Sequence, residues 1–232
     1  MVPSVDVHMH SEFSPCSVNT SVIANARVAT SKGLKVIAIT DHGVTGNPPW
    51  INRYFETIER ARGFYGDKLC ILTGMEVDIV QEGRLVVDRR ILARLDIVIA
   101  SIHRVPSMVN VADYWYRSMI RAARSGVVNV IGHPTDVGFI KARLPEEYVL
   151  EVLDVLRSNN VAIELNYHHR DPEPYFLKLA VDKGVKIVPT SDAHNLSEIG
   201  HLDWHIDTLT RIGIRLENVN WISEEELVNY KP

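Results

Sequence analysis

The chain has little cysteine and no excess of basic residues. Cys16 and Cys70 are the only cysteines among 232 residues, too few for a disulfide framework in a chain of this size. Lys and Arg total 25 against 29 Asp and Glu, so the formal net charge is −4. Proteins that follow a nucleic-acid backbone normally carry a basic excess. These counts argue against a disulfide scaffold and a dedicated nucleic-acid binder.

Long apolar runs are also missing. No stretch of the sequence approaches the roughly 18 uninterrupted apolar residues of a membrane-spanning helix. The start, MVPSVDVHMH, has acid and histidine where a signal peptide needs a basic end followed by an apolar run. We therefore expect a cytoplasmic protein that does not enter a membrane.

The composition is that of a globular protein. Hydrophobic residues make up 46% of the chain and charged residues 23%, so enough apolar surface can be buried to offset the entropy lost on ordering. Low-complexity tracts and Pro/Gly-rich linkers are not found, and we expect residues 1–232 to form one domain.

Short β-branched apolar runs alternate with segments of helical periodicity, which predicts an α/β fold with a parallel sheet. The seven apolar runs are 5–7, 36–40, 70–75, 97–101, 127–131, 161–165 and 185–190. The main helical segments are 21–31, 50–64, 112–124, 145–157 and 174–183, with a short helical piece at 89–95. Periodicity alone does not separate an open doubly wound sheet from a closed barrel.

Metal-ligand side chains follow six of the seven runs. They are His8, His10, Asp41, His42, Glu76, His103, His133, Asp192 and His194. The carboxyl ends of parallel strands meet at one face of an α/β fold, and burying so many polar groups there without a cation would be costly. Imidazole and carboxylate donors suit zinc, manganese or iron, and nine of them suit two or three ions. By contrast, His201 and His205 are expected to be ordinary surface or packing residues.

Six motifs carry a family resemblance: HMHS, TDHG, GMEVDI, SIH, GHP and SDAH. In this order and at these intervals they resemble the polymerase and histidinol phosphatase (PHP) superfamily over essentially the whole chain. The stretch 73–103 is similar to the PHP domains of bacterial family X DNA polymerases and to standalone bacterial PHP phosphatases. The resemblance implies a distorted TIM-like (β/α)7 barrel with a trinuclear metal site.

The resemblance also implies a division of the ligands. A first ion would take His8, His10, Glu76 and Asp192, and a second would take Glu76 as a bridge with His103 and His133. A third would take His42, His194 and position 16, where the family has Asp or His and this chain has Cys16. Cys16 is either a thiolate ligand that favours zinc or a small residue beside a weak or empty site. Asp41 is expected to orient a ligand imidazole.

The expected activity is that of a metal-dependent phosphoesterase, specifically a phosphomonoesterase that acts on a small phosphorylated metabolite through a metal-activated hydroxide. Two or three divalent ions are expected, with Zn²⁺ favoured over Mn²⁺ or Fe²⁺. The residues given catalytic roles are Glu76, Asp192, His194, Arg104 and His168. Arg104 and Arg170 are candidates for gripping a phosphate, and His168 or His169 for contacting substrate or protonating a leaving group.

Three other functions remain open at this point. A nuclease or 3′-end phosphodiesterase would use the same chemistry, although the net charge of −4 disfavours a backbone-tracking groove. A non-catalytic metal-binding PHP module would lack ligands, and only position 16 deviates. An amidohydrolase often uses a modified lysine on its fourth strand, where this chain has Ser101-Ile102-His103.

Overall fold

The computed structural model describes residues 2–43, 46–80, 83–138 and 144–229. Its strands are β1 (Val5–Asp6), β2 (Val36–Ile39), β3 (His42–Gly43), β4 (Cys70–Val80), β5 (Arg84–Leu85), β6 (Ile97–Ser101), β7 (Val130–Ile131), β8 (Ala162–Asn166) and β9 (Ile187–Thr190). Its α-helices are α1 (Val22–Ser31), α2 (Ile51–Tyr65), α3 (Arg89–Leu92), α4 (Val111–Ala123), α5 (Glu146–Ser158), α6 (Pro174–Asp182), α7 (Leu202–Arg211) and α8 (Glu224–Val228). Among these helices, none combines the length and apolar character needed to cross a membrane.

Seven of the described strands form one parallel sheet in the order β1-β2-β4-β6-β7-β8-β9. They correspond to the seven predicted apolar runs, which confirms the α/β prediction. The short β3 pairs with β4 in parallel, and β5 pairs with β4 in antiparallel fashion. The segment between the third and fourth runs therefore holds an extra strand as well as the expected short helix.

The sheet curls into a nearly closed barrel because the segments that follow its two outer strands bind each other. His10 N donates to Ala193 O at 3.0 Å, and Ala193 N donates to His8 O at 3.2 Å. Below them the buried Asp6 carboxylate accepts from Ser191 N at 2.9 Å. We call these hydrogen bonds between the β1 and β9 ends the seam. Because of the seam, the sheet is a TIM-like barrel and not an open, doubly wound sheet.

Alternation along the strands separates two hydrophobic clusters. Val36 and Ala38 of β2 pack inside the barrel, whereas Ile37 and Ile39 join the larger cluster that contains the helices, as the period of two in a strand requires. Ile222 and Leu227, from the α8 region, belong to the inner cluster. They pack at the amino-terminal end of the strands, so the other end of the barrel is left for polar groups.

Gly74 on β4 sits where the wall of the barrel has no room for a side chain. A Cβ there would lie 2.6 Å from Thr40 Cγ2 and 2.8 Å from Ile97 Cγ2. We expect Gly74→Ala to lower the free energy of unfolding by about 1–3 kcal/mol through overpacking. Gly63→Ala, in helix α2 where a Cβ would meet nothing within 4 Å, is the matched control. It should be neutral or stabilising by up to about 1 kcal/mol. Urea denaturation measures both, and equal stabilities would contradict the close packing.

Candidate metal centre

Glu76, a buried residue of β4, is surrounded by imidazoles from other strand ends. Its Oε2 lies 2.8 Å from His42 Nδ1 and 3.4 Å from His8 Nε2. Its Oε1 lies 3.1 Å from His103 Nε2 and 3.3 Å from His133 Nε2. The two carboxylate oxygens thus divide four imidazoles into two pairs, which is the arrangement expected of a bridging carboxylate.

Asp192, just after β9, is the second carboxylate of the cluster. Its Oδ1 lies 3.1 Å from His10 Nε2 and 3.4 Å from His8 Nε2. Its Oδ2 lies 3.4 Å from His169 Nε2 and 3.1 Å from Asn166 Nδ2. The backbone of Asp192 has a φ of 52°, a left-handed conformation that is uncommon outside glycine and that aims the carboxylate into the barrel mouth.

Further carboxylates lie behind two of the imidazoles and hold them in place. His8 Nδ1 donates to Glu164 Oε1 at 2.6 Å, and His103 Nδ1 donates to Asp78 Oδ1 at 2.5 Å. Metal-binding histidines commonly donate Nδ1–H to a carboxylate in this way, which fixes the ring and directs Nε2 toward the metal site. Both rings therefore point their Nε2 atoms at Glu76.

The structure assigns Asp41 a different contact from the expected one. Its carboxylate accepts from Ser11 N at 2.7 Å and from Ser11 Oγ at 2.5 Å, and it also bonds the Ser14 hydroxyl. Ser14 Oγ in turn lies 3.3 Å from His10 Nδ1. Asp41 thus reaches a ligand imidazole only through Ser14, and Glu164 and Asp78 make the direct contacts that were expected of Asp41.

Cys16 joins three imidazoles at the rim of the centre. The candidate ligand atoms of His10, Cys16, His42 and His194 all lie within 4.8 Å of one another. Partial burial raises the pKa of the Cys16 thiol, but hydrogen bonds to His194 and His42 outweigh that effect and lower the pKa to about 7. The thiolate is therefore well populated at neutral pH.

The cluster fits a set of divalent cations. Within the described part of the chain, His8 Nε2, His42 Nδ1 and Glu76 Oε2 are buried and make no well-aligned hydrogen bond, although both imidazole nitrogens lie within ion-pair distance of Glu76 Oε2. Burial raises the pKa of Glu76, but the charges of His103, His42 and His8 hold that pKa well below its usual range. Burial lowers the pKa of His10 to about 3. A cation among these atoms would bind all three.

Metal binding at this cluster must release protons. Burial lowers the pKa of His42, but Glu76 and Cys16 outweigh it and raise that pKa to about 11. Burial likewise lowers the pKa of His103, and Glu76 with Asp78 raises it to about 10. In the metal-free protein these imidazoles balance the carboxylates as cations, whereas a metal ligand must be neutral.

The candidate substrate residues lie outside the buried cluster. Arg104 is exposed on the loop after β6. His168 is 38% exposed, pairs with Glu198 Oε1 at 3.0 Å, and has its ring 4.4 Å from that of His194. Arg170 instead lies over the ring of Tyr167 at 3.9 Å, so its side chain is held by aromatic packing.

Two of the remaining histidines have the surface and packing positions expected from the sequence, and a third does not. His201 stacks on Tyr167 near the surface, and His205 is a buried packing residue bonded to the Leu165 and Thr190 carbonyls. The exception is His169 on the loop after β8, which the sequence offered only for contact with substrate or a leaving group and whose Nε2 lies 3.4 Å from Asp192 Oδ2. Its position after a strand end was the available signal, but the direction of a loop side chain is not encoded in local periodicity.

The two cysteines should differ sharply in reactivity. In metal-free protein we expect iodoacetamide to alkylate Cys16 with a half-maximal rate near pH 7, because its pKa is lowered to about 7 and the thiolate is the nucleophile. Cys70 is the internal control, since burial raises the pKa of its thiol. Peptide mass spectrometry across pH measures both rates. Equal alkylation of the two cysteines at pH 7 would contradict the contacts of Cys16 with His42 and His194.

Comparison with known proteins identifies relatives over nearly the whole chain. A probable phosphatase of Caldanaerobacter subterraneus is 32% identical, covering 97% of this chain and 90% of that relative. The DNA polymerase/3′-5′ exonuclease PolX of Bacillus subtilis is 28% identical over 97% of this chain. The chain spans 38% of the length of that relative.

Solved structures share the fold. Histidinol phosphate phosphatase from Lactococcus lactis, crystallised with zinc, L-histidinol and phosphate, superposes with a TM-score of 0.69 at 19% identity, covering 93% of this chain and 95% of that one. N-isopropylammelide isopropylaminohydrolase from Burkholderia multivorans gives a TM-score of 0.53 at 14% identity, covering 90% and 60%. The PHP domain family matches residues 6–168. With that match and a relative of 32% identity over almost its full length, the chain belongs to the PHP domain family.

Proposed function

We propose that this protein is a metal-dependent phosphoesterase and that it acts as a phosphomonoesterase on a small phosphorylated metabolite. The observation that carries the proposal is Glu76, a buried carboxylate whose two oxygens face two pairs of imidazoles at the open end of the barrel. Family membership and the probable phosphatases among the relatives support it. The Lactococcus lactis neighbour binds zinc and phosphate within the same fold.

The centre holds two or three divalent ions in this proposal, with Zn²⁺ favoured and Mn²⁺ or Fe²⁺ as alternatives. Bound ions of this kind lower the pKa of a water molecule and neutralise charge on a phosphoryl group. The first set of ligands is His8, His10, Glu76 and Asp192, the second is Glu76, His103 and His133, and the third is Cys16, His42 and His194. The thiolate character of Cys16 favours zinc at the third position and suits a reducing, cytoplasmic setting.

The residues of the chain have distinct tasks in this mechanism. Glu76 and Asp192 supply the negative charge that retains cations, and Glu164 and Asp78 keep the rings of His8 and His103 in a fixed orientation. The substrate approaches from the exposed rim. There Arg104, exposed on the loop after β6, binds a phosphoryl oxygen in this proposal.

His168 is the rim residue assigned to the leaving group in this proposal. Its ring lies 4.4 Å from that of His194, so it stands directly beside the third ligand set. Its Nδ1 is engaged by Glu198 at 3.0 Å. That contact leaves Nε2 available to hydrogen-bond the leaving group.

A nuclease is the second candidate, and one comparison favours it. A relative that covers this chain is named as a DNA polymerase and 3′-5′ exonuclease. However, the net charge of −4 offers little general attraction for a polyanion. We therefore place the monoesterase first and treat residues 1–232 as one catalytic domain.

Glu76→Gln tests the metal centre with a change of nearly equal volume. It removes the bridging charge, so we expect bound Zn²⁺ or Mn²⁺ to be lost and phosphate release from an aryl phosphate to fall by more than about 100-fold. Metal analysis, circular dichroism and rate are measured together. Glu59→Gln, at an exposed carboxylate of α2 (66% exposed), is the matched control and should change neither quantity. More than a few per cent of activity in Glu76→Gln with metal still bound would show that the bridging role is wrong.

Salt dependence separates the two candidate substrates. Turnover of an aryl phosphate should change little between about 50 and 200 mM salt, because few counterions are released, whereas a nuclease with several backbone contacts would lose orders of magnitude in affinity. The two assays use the same metal-loaded protein with an aryl phosphate and with a short single-stranded DNA. Turnover of DNA far above that of every monoester tried would reverse the ranking.

A further inference from the structure

The loop that follows β8 is held rigidly at the edge of the metal centre. Asn166 N donates to Asp171 O at 2.7 Å, and Asp171 N donates to Asn166 O at 3.2 Å, so residues 167–170 form a tight loop on a paired stem. The Asp171 carboxylate accepts from Thr135 N at 3.0 Å. Within the loop, His169 N donates to Asn166 Oδ1 at 2.9 Å. The backbone of His169 is therefore fixed on both sides.

One residue, Asp136, orients two imidazoles together. Its carboxylate Oδ2 accepts from His169 Nδ1 at 2.7 Å, and its main-chain carbonyl accepts from His133 Nδ1 at 3.3 Å. The two rings stack with centroids 4.2 Å apart and planes 22° apart. Each ring consequently turns its Nε2 inward, that of His133 toward Glu76 and that of His169 toward Asp192.

His169 is built in the same way as two residues that the proposed function treats as ligands. His8 and His103 each have a carboxylate behind Nδ1 and a second carboxylate opposite Nε2. His169 has Asp136 behind Nδ1, and its Nε2 lies 3.4 Å from Asp192 Oδ2, the same spacing as between His8 Nε2 and Glu76 Oε2.

The arrangement suits a cation. A carboxylate can only accept, so His169 donates Nδ1–H to Asp136, and its Nε2 is the ring atom turned toward Asp192 Oδ2. A divalent ion lying between this Nε2 and the Asp192 carboxylate could bind both, as in metal sites where a carboxylate behind Nδ1 orients the ligand ring.

We propose that His169 is a metal ligand in its own right, binding a divalent ion through Nε2 together with His133 and Asp192. The candidate ligand atoms of these three residues all lie within 4.8 Å of one another. The inference rests on the proposed function, since it requires that the centre binds divalent ions. Asp192 then serves two groups of imidazoles, with Oδ1 facing His8 and His10 and Oδ2 facing His169.

The test measures metal affinity and does not depend on turnover. Metal-free wild type, His169→Gln and Asp136→Asn are titrated with Zn²⁺ against a chromophoric chelator, and the ions retained after gel filtration are counted by mass spectrometry. We expect His169→Gln to weaken the binding of one ion at least tenfold, and Asp136→Asn to weaken the same ion about 10- to 100-fold through loss of ring orientation. His201→Gln, the same change at an imidazole stacked on Tyr167 near the surface, should bind Zn²⁺ like the wild type.

The outcomes separate this inference from the proposed function. Wild-type Zn²⁺ affinities in a folded His169→Gln protein overturn the ligand role, and weakened binding of inorganic phosphate in that protein would assign His169 to the substrate instead. If His169→Gln does not fold, as judged by circular dichroism, Asp136→Asn decides, and wild-type affinity there overturns the proposal. A wild-type protein that binds neither Zn²⁺ nor Mn²⁺ overturns the proposed function itself.

Discussion

The structure depends on charge compensation between two buried carboxylates and the imidazoles around them. Glu76 and Asp192 are almost completely buried, at 1% exposure each. An isolated carboxylate in such a place would cost several kcal/mol or become protonated. Here imidazoles from six strand ends, with cations added in the proposed metal-loaded state, supply the opposing charge. The barrel is what makes this possible, because it brings those strand ends to a single mouth.

A second set of carboxylates, outside the imidazoles, extends this charge compensation. Behind the inner imidazoles stand Glu164, Asp78 and Asp136, each accepting an Nδ1–H. Glu164 also accepts from the backbone N of His133 at 3.0 Å and from Asn166 Nδ2 at 2.8 Å, so this outer carboxylate is itself tied to neighbouring strands. From the centre to the barrel wall, each of these imidazoles thus lies between an inner and an outer carboxylate. The hydrogen bond from Nδ1 to the outer carboxylate holds the ring in its orientation.

Much of this could be predicted from the sequence because the relevant information is local. A β-branched run such as 36–40 predicts a strand, and parallel strands put their carboxyl ends together, so the convergence of His42 with Glu76 followed without coordinates. The closure of the barrel did not follow from periodicity, since it depends on bonds between segments far apart in the chain, such as His10 with Ala193.

The orienting residues were the hardest to foresee. Glu164 and Asp78 lie within strands, where sequence shows which face a residue occupies but not which imidazole it meets. His169 and Asp136 lie on two separate loops, and their contact depends on how both loops fold over the barrel mouth. Asp41 illustrates the same point, because its carboxylate turns to Ser11 and not to its sequence neighbour His42. Adjacency in the chain is a weak guide to contact where strand ends meet.

The seam between the β1 and β9 ends has a consequence for how the protein comes to be made. His10 and Asp192 are partners across 182 residues of chain, so this contact cannot form before residue 192 has been synthesised. A nascent chain that contains His8, His10 and Glu76 has only part of the set of donors. The set is completed when β9 lies beside β1. The full set of donors at this mouth therefore exists only when the β1 and β9 ends have come together.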